Sequence, residues 1–96
     1  MHKDHKVFMQ ALKDNRKIIL TYFSNMKDFY ITKLLIPVYH RSAFSKWSTD
    51  IYYFWNSEAD GNRMLALPTT KIKFMKLSNE IFKEANYVKP ENNKEC

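Results

Sequence analysis

Ninety-six residues, 45% hydrophobic and 27% charged, suit one folded domain and exclude both wholesale disorder and a second large core. Aromatic residues make up 16% of the chain, which favours strands and a bulky interior. The formal net charge of +6 suits a polyanionic partner, an acidic protein surface or simply a well-solvated exterior. The longest apolar run, residues 34–39, is far too short to span a bilayer, so no membrane partner is expected. Residues 1–6 do not lead into the apolar region of a signal peptide. The single cysteine, Cys96, leaves no internal disulfide to form, which fits a reducing, cytoplasmic setting. One domain over residues 1–88 with a polar, mobile tail over 89–96 is the expected organisation.

In chain order, residues 4–15 read as a helix. Val7, Phe8, Ala11 and Leu12 form one apolar stripe, Asp4 is placed to cap the start, and Asn15 to stop the end. Residues 17–23 read as a first strand, rich in β-branched and aromatic side chains, followed by turn residues 24–28. Residues 29–39 form a long second strand, with Tyr30, Thr32, Leu34, Ile36 and Val38 on one face and Phe29, Ile31, Lys33 and Leu35 on the other. Pro37 implies a bulge or an unpaired edge position near its far end.

Residues 40–49 are the longest connection, Ser-rich and carrying Arg41, Phe44 and Trp47. The third strand, residues 50–56, is the densest aromatic run, apolar on both faces, and therefore needs cover on both sides. Tyr53 is expected in the core, and Tyr53→Ala is expected to cost about 3–5 kcal/mol. Asp60-Gly61 signals a hairpin, residues 63–67 a fourth strand and 71–77 a fifth, with residues 78–87 a short helix or packed extension. One helix followed by five short strands gives a mainly β (α+β) class, a small antiparallel SH3-like or Sm-like barrel.

Catalytic features are sparse. One glycine cannot build a phosphate-cradling loop, and Cys96 sits in a tail with no scaffold to hold it against a base. His2 and His5 have ligand-like spacing but lie at a terminus expected to fray, without a third ligand, and His40 reads as a polar loop residue. No catalytic residue, metal or cofactor is expected, and the chain reads as a non-enzyme.

Several short motifs occur in an order that resembles the WYL domain, an Sm-like β-barrel module found mostly in bacterial regulators. These are the helix and basic turn Ala11-Leu12-Lys13-Asp14-Asn15-Arg16-Lys17, the tyrosine strand Ile18-Ile19-Leu20-Thr21-Tyr22-Phe23, and Lys33-Leu34-Leu35-Ile36-Pro37, with its basic residue four places before a proline. Tyr52-Tyr53-Phe54 is similar to the name-giving Trp-Tyr-Leu run, and Lys71-Ile72 to the closing Arg-Ile pair; a second family arginine falls at Pro68. The likeness covers about Val7 to Phe82 and lacks the usual helix-turn-helix, so a stand-alone, divergent regulatory module is expected. It implies binding of a nucleotide or short single-stranded nucleic acid.

The residues themselves leave two readings open. Lys33, Lys71, Lys73 and Arg63 lie on expected strands, either as guards and snorkelling stems or as a positive groove with Tyr22 and Tyr52 as stacking platforms. Alternatively the chain is an assembly module, a homodimer or a subunit of a complex, using strand edges and the loop of Arg41, Phe44 and Trp47.

Overall fold

The computed structural model describes residues 1–57 and 63–83. Among these residues one helix, α1 (His5–Asp14), precedes five strands: β1 (Arg16–Ser24), β2 (Phe29–Arg41), β3 (Ile51–Asn56), β4 (Arg63–Pro68) and β5 (Ile72–Ile81). A single 3-10 turn, Thr69–Lys71, joins β4 to β5. The strands form one antiparallel sheet in the order β4-β3-β2-β1-β5, as the mainly β, helix-first reading expected. That ladder order has two ends, β4 and β5, so closure into a full barrel is not made by strand pairing among the described residues.

The long β2 carries the bend. Its first half pairs with β1 from Phe29 to Leu35, and its second half pairs with β3 from Ile36 to Arg41. A register shift between Pro37 and Tyr39 marks the bulge that the proline implied, since proline cannot donate to the ladder. The chain then curls, and one face of each strand points inwards.

The inner core contains Phe8 and Ala11 of α1 with Ile18, Leu20, Leu35, Tyr52, Phe54, Ile72 and Met75. Phe8 meets both Tyr52 and Phe54 edge-on, with ring centroids 4.9 and 5.4 Å apart. A second, smaller cluster lies on the other face of β2 and β3: Ile36, Val38 and Phe82, flanked by Tyr39, Tyr53, Trp55 and Met64. The aromatic strand β3 is thus covered on both faces, but its faces are the reverse of the expected weighting. Tyr52 and Phe54 are fully buried, whereas Tyr53 is half-buried in the outer cluster.

Other expectations need correction. Asp4 makes no capping bond; its carboxylate instead accepts the Met75 amide at 2.9 Å, tying the start of α1 to β5. Asn15 does stop the helix, in the left-handed region with φ 54°, where its amide bonds the Ala11 carbonyl. Lys71 lies in the 3-10 turn and not in the fifth strand, which runs on to Ile81 where a short helix or packed extension was expected. The Asp60-Gly61 hairpin signal and the tail lie outside the described residues.

Candidate functional site

Strand register decides which polar side chains share a face with the core. Leu20 pairs with Lys33 and Tyr22 with Ile31, so Lys33 stands on the inward face, between Ile31 and Leu35. Across the bend, Tyr52 pairs with Leu67, Phe54 with Leu65 and Asn56 with Arg63, so Arg63 continues the inward row of β4. The two cations stand where the inner faces of the β1–β2 hairpin and of β4 open to solvent.

Between that hairpin and β4 lies a groove of about 540 Å³. Its floor is apolar, with Tyr22, Ile31, Leu65 and Leu67; four cations line it, Lys27, Lys33, Arg63 and Lys71, and none of the described lining residues is acidic. Tyr22 is nearly buried, and that burial pushes its hydroxyl above the ordinary tyrosine value, so the phenol stays neutral and available as a donor. Lys71 is held in place twice: its Nζ donates to Asn25 Oδ1 at 2.9 Å and lies 4.8 Å from the centre of the Phe23 ring. Among the described residues none of the four cations has an ion-pair partner.

Of the residues singled out from the sequence, Tyr22, Lys33, Arg63 and Lys71 come together here. Lys73 does not: it sits outside the groove, exposed, with Nζ 5.0 Å from the centre of the Tyr30 ring. Tyr52 does not either, because it is fully buried in the core and its hydroxyl is engaged by His2 and His5. Lys27 was missed; a lysine in a turn carries no periodicity to single it out. Arg41 is not in the loop as expected but closes β2, paired with Ile51, while Phe44 and Trp47 stand on a separate surface. Phe44 and Trp47 are 85% and 86% exposed, while Ser45 and Ser48 satisfy the loop backbone beneath them.

The histidines are also placed differently from expectation. The terminus is packed, with His2 buried, and His40 lies within β2, paired with Tyr52, with its Nε2 2.6 Å from Asp50 Oδ2. Among the described residues no group of three or more His, Cys, Asp or Glu is arranged to hold a metal. No helix among them is long and apolar enough to cross a membrane.

Comparison with protein families, with curated proteins and with solved structures finds no match to this chain.

Proposed function

We propose that the groove between the β1–β2 hairpin and β4 is a non-catalytic binding site for a nucleotide or a short single-stranded nucleic acid. The observation that carries this reading is the lining itself: four cations converge over an apolar floor, and none of the described lining residues is a carboxylate. A solvated basic surface intersperses both signs, and a snorkelling lysine needs no neighbouring cations. A phosphate-bearing ligand needs several cations converging on one concavity, with a flat apolar surface for its base. Lys33, Arg63 and Lys71 would hold phosphate oxygens; Tyr22 and the leucines of β4 would meet the base. The order of WYL-like motifs points to the same ligand class. A regulatory role, as in that family, would then consist of sensing such a ligand.

The test is the double variant Lys33→Glu with Lys71→Glu, measured by anisotropy against a labelled single-stranded oligonucleotide and a nucleoside triphosphate. At least a tenfold loss of affinity is expected from removing two phosphate contacts and adding two repulsive charges. Unchanged affinity would place any binding elsewhere.

A second reading has its own observation. Phe44 and Trp47 are exposed on a loop already ordered by its serines, which suits a protein contact that costs little ordering entropy. Under that reading Trp47→Ser lowers the mass seen by light scattering or abolishes binding to a partner, and leaves oligonucleotide affinity unchanged.

A further inference from the structure

His2, His5, His40, Asp50 and Tyr52 form a second polar cluster, and none of them lines the groove. Three parts of the chain meet there: the N-terminal segment with the start of α1, the end of β2, and the start of β3. Tyr52 is at the centre, fully buried. Its hydroxyl accepts the His2 backbone N–H at 3.2 Å and lies 2.8 Å from His5 Nδ1. The His2 ring is fixed as one tautomer: Nδ1 accepts the Asp4 amide and Nε2 donates to the Ile72 carbonyl, both at 2.9 Å. His40 Nε2 is bonded to Asp50 Oδ2, and Asp50 Oδ1 accepts the Ala43 amide at 3.0 Å. The His5 and His40 rings meet edge to face with centroids 4.6 Å apart.

The charge count in this cluster is unbalanced. From the N-terminal segment come the Met1 amine, 3.7 Å from Asp50, then His2 and the Lys3–Asp4 pair. α1 contributes His5, β2 contributes His40, and β3 contributes Tyr52, preceded by Asp50. β5 faces the cluster with backbone groups, the Ile72 carbonyl and the Met75 amide. Asp4 is already engaged by Met75 and Lys3, so Asp50 is the carboxylate left to face both imidazoles. With the Tyr52 hydroxyl donating to His5 Nδ1, protonating that nitrogen reverses the bond and takes the acceptor away from a buried O–H.

We infer that this cluster is a proton-operated clasp, which fastens the N-terminal segment and the first turn of α1 to β3 and β5 when His5 is neutral and releases them when His5 is protonated, while the strands stay paired. Burial, and the neighbouring His40, hold His5 below the ordinary histidine value, with Asp50 opposing. A released His5 titrates near its ordinary value of about 6.5, above the fastened one, so the released form binds more protons in the window just below. The clasp is therefore fully fastened above that pH and loosens as the pH falls through the window.

The experiment is amide hydrogen exchange followed by NMR on the full chain at pH 7.5 and 5.5, corrected for the intrinsic pH dependence of exchange. Val7 and Phe8, bonded to the Asp4 carbonyl, and Met75, bonded to its carboxylate, report on the clasp. The expected result is about a tenfold loss of protection at these amides on acidification, with the β1–β2 amides unchanged. In His5→Phe, or in His5→Gln should the first variant fold poorly, the pH dependence of those three amides is expected to shrink to within about threefold. Protection that does not change with pH in the wild type, or that falls equally in β1 and β2, would overturn the clasp.

Discussion

Phe54 and Tyr53 are neighbours in one strand, yet their truncations should differ. Phe54 is fully buried against Phe8, so Phe54→Ala should cost about 3–5 kcal/mol in denaturant unfolding, as large aromatic truncations in cores do. Tyr53 is half-buried in the outer cluster and should cost roughly half as much, since less area leaves water. A period of two separates the faces of β3 but cannot rank them. The ranking depends on what lies on each face, α1 on one and Phe82 on the other, and neither is local in sequence. Asp50 is another residue whose role depends on distant partners. The hydrogen bond from His40, together with the Ala43 amide, holds its carboxyl below the ordinary value of 3.8. Its stabilisation is present above that value and is lost as the pH falls below it, because the unfolded chain takes up the proton first. Asp50→Asn should therefore flatten the acid limb of a Tm–pH curve below about pH 4.

Among the elements, α1, β1, β2 and β3 were legible nearly to their ends because each has a clean period or a turn signal beside it. The helix ends at Asn15 for a backbone reason, a left-handed residue that closes the last turn. Asn15→Ala should lose roughly 1 kcal/mol, because alanine lacks the short polar side chain that lets asparagine tolerate the left-handed region. Asn15→Gly should lie within about 0.5 kcal/mol of wild type. Either substitution is read by thermal unfolding, and equal losses for both would point to a side-chain contact instead. β5 was read too short because Ser78, Asn79 and Glu80 look like the start of a short helix. Pairing with β1 overrides that preference: Arg16 bonds the Ser78 carbonyl at 2.8 Å and Asn79 Oδ1 at 3.1 Å, and Lys17 reaches Glu80 at 3.5 Å. The N-terminal segment was read as frayed because two histidines and two lysines give no apolar signal. Its anchors are hydrogen bonds to Tyr52 and Ile72, 50 and 70 residues away.

For the molecule as a whole, the bend in β2 brings together what the sequence keeps apart. Lys33 was conspicuous because a lysine interrupts the inward face of an apolar strand; Arg63 and Lys71 lie 30 or more positions away and join it only through the fold. Lys73 looked equivalent to Lys71 on a two-residue period. The 3-10 turn and the register shift between Thr21 and Tyr22 break that period and leave the two lysines on different surfaces. The net charge of +6 would draw many anions weakly, so the groove must be separated from the general field of the protein.

Fluorescence anisotropy of a short labelled single-stranded oligonucleotide, titrated with the wild-type protein at several salt concentrations, makes that separation. Three or four phosphate contacts in the groove predict that log affinity falls against log salt with a slope of roughly 2 to 3, at about 0.7 per contact for single strands, and that a nucleoside triphosphate competes. No binding at low salt, or binding that a nucleoside triphosphate does not displace, would contradict a nucleotide-binding groove and leave the exposed Phe44–Trp47 loop as the working surface of the protein.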